Sequence, residues 1–470
     1  MSTGLRDILS EILKIKAPII LIGEWIPSEI NQFEDFVEAL EAYKKGATSF
    51  MISAIDREPR EPVFPSQERL ALVSVTEYKP LEHIEFILKV YYPEIGAIQR
   101  EDLIVRLDIN GNVIYGTKVL RARKGAEETN WISLDFLSRI ITDIWEDTTE
   151  AMNALLTSYQ RRILDIIYPF SITEGVERMK THMIIANDVS ILNKTLDHYN
   201  ISNLKDIIFS SDISRYLLPE IYQIIGWTDE NSAYIFDDAL VLKGVYGLLI
   251  FTKNSEKYKQ IANVYLKIKG LQNILSYIYK RIQIIWDEIS ILRRDIAEIY
   301  ATKRIHPDDL LNIKRKLMDL KAQVNLLKSL DFSLNNGISN ISQVISNGIT
   351  EITKPFIVEF LQKIGIMNSV RAMPRQYEAI MGLLDSLSDE LDGIISITMA
   401  TLERYMHETS EKQERFNTIL SILAIITFAE ALDILISDFA PYMDPRLRGT
   451  ITLGFIVASI LILIILLKRR

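Results

Sequence analysis

Two carboxylates interrupt a long apolar stretch near the C-terminus, and they are the residues of this chain best suited to attract a cation. Glu430 and Asp433 lie within residues 417–438, which are otherwise mostly apolar. At about 100° per residue on a helix, Glu430, Asp433 and Ser437 fall within roughly 60° of one another. Charged side chains are costly in lipid unless they face other helices or water. Repeated around the axis of an oligomer, this stripe predicts a ring of carboxylates that attracts cations.

A second acidic cluster lies in the first half of the chain. Asp143, Glu146 and Asp147 surround Trp145 in the segment ITDIWEDTTE. Carboxylate oxygens are the ligands that hard divalent cations prefer, so these three residues form a candidate metal-binding cluster. An ordinary solvated helix face has the same composition, and both interpretations stay open.

The composition excludes several classes of function. The 470 residues include no Cys and only five His, which excludes disulfides, thiolate metal sites and Cys nucleophiles and argues against a His-rich metal centre. The net charge of -9 argues against a nucleic-acid-binding protein. P-loop, paired-glycine, HExxH and GxSxG motifs are absent. We therefore expect no catalytic residues, no nucleic-acid partner and no enzyme activity.

The C-terminal region predicts a membrane hairpin. Residues 449–467 carry no charge and would extend about 28 Å as a helix, enough to cross a hydrocarbon core. The basic tail 468–470 favours a cytoplasmic C-terminus, and the N-terminus lacks the pattern of a signal peptide, so both ends are expected in the cytoplasm. That topology needs two spans: residues 417–438, a loop at 439–448, and residues 449–467. The alternative is a tail anchor in which only residues 449–467 cross.

The remaining chain predicts the elements that would position these residues. Residues 1–130 are expected to form an α/β cytosolic domain, in which DLIVRLDINGNVIYGTKVLRA is a hairpin turning at Asn110-Gly111. A helical cytosolic domain at 131–375 would follow. The capping box SITE predicts a helix from about residue 171 to His198, and residues 200–252 are interpreted as shorter helices.

A long stalk helix is predicted at 376–416, continuous with the first span. Its apolar residues approximate a heptad pattern, and no Pro occurs between Pro374 and Pro441. The predicted fold class is an α+β cytosolic domain followed by a long α-helical stalk and a two-helix transmembrane hairpin, mainly α.

With this order of elements, the chain resembles the CorA family of divalent-cation transporters. SLDFLSRIITDIWEDTTEAMNALL is similar to that family's helix after the sheet. LERYMHETSEKQERFNTILSILAIIT is similar to its junction of stalk and membrane, with Asn417 where the family usually has Asn, and DFAPYMDPRLRG is similar to its loop between spans. The family signature Gly-Met-Asn would fall near Ile436, Ser437 and Asp438, and none of the three matches.

The resemblance implies a homopentamer in which the first span lines a pore. It also implies that cytosolic carboxylates sense Mg²⁺ between subunits, which makes Asp143, Glu146 and Asp147 candidates. On an ideal helix Asn417 and Ser421 do not share a face with Glu430 and Asp433. The pore-lining candidates are Asn417, Ser421, Glu430, Asp433, Ser437 and Asp438.

Two functions compete at this point. The first is conduction of a divalent cation, Mg²⁺ or a transition metal, through an oligomeric pore that the cytosolic helices gate. The second is a membrane-anchored helical scaffold that conducts nothing. No cofactor is expected beyond the divalent cation, and the expected partners are the lipid bilayer and further copies of the chain.

Overall fold

A computed structural model describes residues 13–27, 35–36, 38–40, 83–90, 101–108, 110–119, 122–124, 127–129, 131–168, 180–191, 194–195, 200–302, 307–346, 355–439 and 449–459. The chain divides into two compact units. Unit 1 comprises Met1–Glu288 with Leu320–Asp389, and unit 2 comprises Ile289–Asp319 with Glu390–Arg470. The predicted loop at 439–448 and the end of the predicted second span lie largely outside the described residues.

The described strands all lie in unit 1. They are β1 Leu13–Lys16, β2 Ile19–Trp25, β3 His83–Val90, β4 Glu101–Asp108, β5 Asn112–Lys118, β6 Ala122–Lys124, β7 Glu127–Thr129, β8 Trp131–Ser133, β9 Thr181–Ala186, β10 Asp188–Ile191, β11 Lys194–Thr195, β12 Ala233–Ile235, β13 Ala239–Lys243 and β14 Gly247–Thr252.

Eight of these strands form one mixed sheet in the order β12-β13-β14-β9-β2-β5-β4-β3. All neighbouring pairs are antiparallel except β14 and β9, which are parallel. The predicted hairpin is confirmed as β4 and β5, and Gly111 has a φ of 82° at its turn. A residue without Cβ adopts this conformation at little cost. A four-stranded sheet, β11-β10-β1-β8, and the β6-β7 pair complete the β structure of the described residues.

The described helices are mostly in the second half of the chain. They are α1 Leu134–Leu155, α2 Ser158–Ile167, α3 Ile201–Ser210, α4 Ser214–Ile225, α5 Ser255–Thr302, α6 Pro307–Lys328, α7 Asp331–Ser346, α8 Pro355–Lys363 and α9 Met367–Phe439. An α+β region with sheets followed by long helices is therefore confirmed, and the chain is mainly helical. The 73-residue α9 is one continuous helix over the segment for which a stalk is predicted.

Two local predictions are wrong. The helix predicted up to His198 is replaced by β9, β10 and β11, while its capping box at 171–174 lies outside the described residues. Residues 233–252, predicted as short helices, form β12, β13 and β14. Both segments are runs of Ile, Leu and Val too short for periodicity to separate a buried strand from a buried helix. Pairing with distant strands decides between them.

Helices cover both faces of the large sheet. On one face, α5 packs against β2, where a Cβ added to Gly23 would lie 2.7 Å from Leu266 Cβ. On the other face, the indole of Trp145 in α1 lies 5.7 Å from the imidazole of His182 in β9. Since successive strand residues point to opposite faces, α1 lies over Ile22 and its neighbours while α5 lies over Gly23.

Unit 2 contains only helical segments among its described residues. Its buried apolar side chains come from α5, α6 and α9 and include Ile289, Leu292, Leu310, Leu317, Leu391 and Leu402. Leu391, Ile394 and Thr398 of the predicted heptad pattern are all buried, so this part of the pattern faces a protein core. Within the described residues, no helix combines the length and apolar character that a membrane crossing requires.

Candidate functional site

Helix α1 positions the predicted acidic cluster. The Ser133 hydroxyl caps the helix by accepting a 3.3 Å hydrogen bond from Phe136 N, which satisfies one of its free backbone donors. Asp143, Glu146 and Asp147 then follow on successive turns. Burial raises the pKa of the Asp147 carboxyl to about 6, with further upward contributions from Asp143, Glu150 and Glu146 and a downward one from Lys180. Asp147 is therefore a crowded carboxylate on an acidic helix.

Asp143, Glu146 and Asp147 lie on one helix, α1. The part of the chain that the structure describes contains no group of three or more His, Asp or Glu side chains that could hold a metal ion. A metal ion at these three carboxylates would therefore need ligands beyond those that the described part of one protomer supplies.

The structure instead brings a lysine under α1. Lys180 is 1% exposed and donates hydrogen bonds to Trp145 O at 2.9 Å, Thr148 Oγ1 at 2.6 Å and Thr149 Oγ1 at 2.7 Å. These bonds satisfy the three donors of an ammonium group. Its Nζ also lies 5.3 Å from the centre of the Tyr115 ring, within range of a cation–π interaction. One side chain from the start of β9 thus ties the sheet to α1.

A buried carboxylate lies beside this lysine. Lys180 directly precedes Thr181, which pairs with Gly23, so Lys180 and Glu24 are neighbours at one end of the sheet. The Tyr115 hydroxyl donates a hydrogen bond to Glu24 Oε1. Among the described residues, Glu24 Oε2 has no hydrogen-bond partner. A carboxylate buried to this extent is stable only where a cation and a donor compensate its lost hydration, and Lys180 and Tyr115 are the available groups.

His182 extends the buried polar cluster along β9. Ile22 of β2 pairs with His182 of β9 on one side and with Tyr115 of β5 on the other. The side chains of His182, Ile22 and Tyr115 therefore lie on the sheet face under α1. Neither imidazole nitrogen has a hydrogen-bond partner among the described residues. Burial lowers the pKa of His182 to about 4, against a smaller upward contribution from the nearby backbone of Ile224. His182 is therefore neutral at neutral pH.

Glu24, Tyr115, Lys180 and His182 form a closed cluster, and none of them is more than 3% exposed. Because no substrate can reach these groups, their chemical role is to fix α1 on the sheet. No sequence pattern described above identifies Glu24, Tyr115 or Lys180 as functional residues. A usable signal was present in β2, where Glu24 interrupts the strand IILIGEW. Lys180 was undetectable, because its partners on α1 lie far away in sequence.

The predicted pore residues lie on the last part of α9. The Asn417 side chain is exposed, and Ser421 Oγ donates a 2.8 Å hydrogen bond to the Asn417 carbonyl. Glu430, Asp433, Ser437 and Asp438 are helical positions of α9 whose side chains lie outside the described part of the structure. Four neighbouring apolar side chains of α9 are about half exposed: Phe416, Ile419, Leu420 and Leu423. We call these four residues the α9 stripe.

Comparisons with known proteins give a family but no activity. An uncharacterised protein, MJ1566 of Methanocaldococcus jannaschii, is 22% identical over 426 residues, which cover 88% of this chain and 85% of that protein. A solved structure, the CorA magnesium transporter of Methanocaldococcus jannaschii, covers 62% of this chain and 90% of its own, with 13% identity and a TM-score of 0.23. A TM-score of this size carries no argument about fold or function. A family model described as the MJ1566 N-terminal domain matches residues 8–254, more than half of the chain. The chain belongs to the MJ1566 N-terminal domain family.

Proposed function

We propose that the chain is a multi-pass membrane protein whose C-terminal helices associate with those of further copies and conduct a divalent cation. The observation that carries this proposal is the α9 stripe on an unbroken helix that continues to Phe439. Half-exposed Phe, Ile and Leu side chains on successive turns need a covering surface, because soluble monomers rarely expose contiguous apolar patches.

Lipid would cover the helical segment that follows α9 in the sequence. Residues 449–459 are helical, and Ile451, Leu453 and Val457 are exposed there. The sequence continues without a charge to Leu467. Together with residues 417–438 this segment would form a hairpin that leaves both chain ends in the cytoplasm of a cell membrane.

Further copies of the chain would cover the α9 stripe itself. Phe416, Ile419, Leu420 and Leu423 stand at i, i+3, i+4 and i+7, the spacing of a helix face that packs on another helix. Glu430 stands two heptads after Phe416 and by this spacing falls on the same face. Turned toward sister copies, this face would shelter Glu430 and Asp433 from lipid and place their carboxylates around a central axis.

The ion would be Mg²⁺ or a transition metal, attracted by the carboxylates of Glu430, Asp433 and Asp438. Ser437 would lie on the same helix face as Glu430 and Asp433. Asn417 and Ser421 would line the ion path only if the helix twists. The resemblance to CorA transporters implies five copies. Asp143, Glu146 and Asp147 would sense the cytosolic cation with ligands from a sister copy, since carboxylate oxygens are the ligands that hard divalent cations prefer.

A membrane-anchored scaffold is the second candidate. It is favoured by Ile436, Ser437 and Asp438, which stand where CorA transporters carry Gly-Met-Asn. A scaffold would keep the hairpin and the association of copies but would bind no ion along the axis. The transporter and the scaffold would therefore have the same membrane topology, but only the transporter would show cation flux.

Flux through reconstituted protein separates the two. Liposomes with the full chain should take up Mg²⁺ or Co²⁺, and Glu430→Ala with Asp433→Ala should reduce uptake about tenfold or more, as expected for loss of a charged ring. Glu411→Ala, an acid on the same helix before the apolar segment, is the matched control and should leave uptake unchanged. An oligomer that takes up no cation would establish the scaffold instead.

Topology needs its own measurement. The chain has no Cys, so Met443→Cys and Arg470→Cys each introduce a single reactive site. In the hairpin, a membrane-impermeant maleimide reaches the two positions from opposite sides, because Met443 lies in the loop between spans. In the tail anchor the two positions are also labelled from opposite sides of the membrane, but the sides are exchanged: Arg470→Cys is labelled from outside and Met443→Cys from the cytoplasm.

A further inference from the structure

Two short segments of unit 1 lie side by side at one end of the large sheet. Tyr246 N donates a 2.8 Å hydrogen bond to Ile225 O, and Thr228 Oγ1 donates a 2.8 Å hydrogen bond to Lys243 O. The end of α4 is therefore joined to the turn between β13 and β14. Gly226, with a φ of 77°, ends α4 and directs the chain along this turn.

This junction exposes three large apolar side chains: Trp227 is 62% exposed, Val245 60% and Tyr246 46%. They lie close together along the backbone, because a Cβ added to Gly226 would lie 2.9 Å from Tyr246 Cδ2 and 3.1 Å from Val245 Cβ, and Thr228, on the other side of Trp227, is bonded to Lys243 O. Thr228 is buried, which fixes the backbone on both sides of the indole. We call Trp227, Val245 and Tyr246 the Trp227 patch.

The charges next to the Trp227 patch are negative. Asp229, two residues after Trp227, accepts a 2.8 Å hydrogen bond from Ser232 N, and hydrogen bonding to Ser232 lowers the pKa of Asp229. Glu230 is exposed and lies 4.0 Å from Lys205, a separation at which an exposed ion pair is weak. The ammonium of Lys243 is turned elsewhere, since it donates to Ile364 O at 2.8 Å.

We propose that the Trp227 patch is a docking surface for a partner peptide that carries Arg or Lys beside an apolar side chain. The apolar side chain would cover Val245, and the cation would lie over the indole or phenol ring with Asp229 and Glu230 nearby. Exposed Trp and Tyr are the residue types that contribute most to protein interfaces. The carboxylates disfavour an anionic membrane surface or a nucleic acid, because both would be repelled. The proposal does not depend on membrane insertion or on transport.

Two fluorescein-labelled peptides of equal length test this proposal against the full-length protein in detergent. One alternates Arg with Leu, and the other alternates Glu with Leu. Fluorescence anisotropy should show saturable binding of the Arg peptide only. Trp227→Ala should weaken this binding about tenfold, as for a central aromatic contact, and Asp229→Asn with Glu230→Gln should weaken it by a smaller factor. Phe332→Ala, which removes an aromatic side chain that is 56% exposed elsewhere in unit 1, is the matched control and should leave binding unchanged.

Several outcomes would overturn the proposal. Equal binding of both peptides, or equal binding by wild type and Trp227→Ala, would mean that the patch is not the docking surface. Absence of binding by either peptide would do the same. Loss of binding to phosphatidylserine vesicles in Trp227→Ala would assign the patch to a membrane surface, and loss of concentration-dependent self-association in sedimentation would assign it to a second copy of the chain.

Discussion

The ammonium of Lys180 donates a 2.6 Å hydrogen bond to Thr148 Oγ1 from beneath α1. Two further bonds, to Trp145 O and Thr149 Oγ1, make this lysine the polar link between β9 and α1. The same group lies at the register position next to the buried carboxylate of Glu24 on β2. Stability of the α1–sheet packing therefore depends on one charge that is almost fully removed from solvent.

Replacing this lysine should be strongly destabilising. Lys180→Met keeps the length of the side chain but removes three hydrogen bonds and leaves Glu24 without its cation, so we expect a loss of about 2–4 kcal/mol in the free energy of unfolding. The measurement is urea unfolding followed by far-UV circular dichroism. Lys316→Met, at an exposed position of α6, should cost less than about 0.5 kcal/mol. Equal stability of the two variants would show that Lys180 is not the link.

The carboxyl of Asp147 should make stability decrease as pH rises. Its pKa in the folded protein is raised from 3.8 to about 6. A raised pKa means that the folded state binds the proton more tightly. The stabilisation is therefore complete below about pH 4 and is lost as the pH rises through about 6. Because Asp147 is only partly buried, we expect an effect of about 1 kcal/mol. Asp147→Asn should flatten the pH dependence in this window, and an unchanged slope in urea titrations would contradict the assignment.

His182 should act in the opposite direction. Its pKa is lowered from 6.5 to about 4 by burial, so its contribution is complete above about pH 6.5 and is lost as the pH falls toward 4. His182→Leu should retain stability within about 1 kcal/mol at neutral pH, since neither nitrogen has a described partner. The variant should resist acid better by about 2–3 kcal/mol. His407→Leu, at an exposed position of α9, serves as the control in the same acid titration, and acid sensitivity equal to wild type in His182→Leu would refute the prediction.

Alanine substitutions at two glycines should change the stability of the protein in opposite directions. A Cβ at Gly23 would lie 2.7 Å from Leu266 Cβ, so Gly23→Ala forces α5 away from the sheet and should cost about 1–3 kcal/mol. Gly382, within α9, has nothing within 4 Å of an added Cβ, so Gly382→Ala should stabilise by about 0.5–1 kcal/mol through helix propensity. Thermal unfolding of both variants tests the pair, and an unchanged or higher melting temperature for Gly23→Ala would exclude close α5–β2 packing.

Several elements of the fold are predictable from local signals in the sequence. The β4–β5 hairpin follows from Asn110-Gly111 between two β-rich runs, and the helices α1, α5 and α9 follow from apolar periodicity over many turns. Such patterns need no information about distant residues, because a turn conformation or a helix face is specified by neighbours along the chain. Helical spacing along the sequence likewise predicts that Glu430, Asp433 and Ser437 lie on one face of α9.

The identity of β9 and of β12–β14 as strands, and with it the buried cluster, depends on long-range strand pairing. THMIIA is too short to distinguish helix from strand, and its strand partners β2 and β14 lie well over a hundred and about sixty residues away. The position of Lys180 under α1, the neutral state of His182 and the packing of Gly226 and Thr228, on either side of Trp227, against the β13–β14 segment all follow from that pairing. Burial and electrostatics depend on which distant side chains meet, and in a mixed sheet this is set by strand order, which a single sequence does not encode locally.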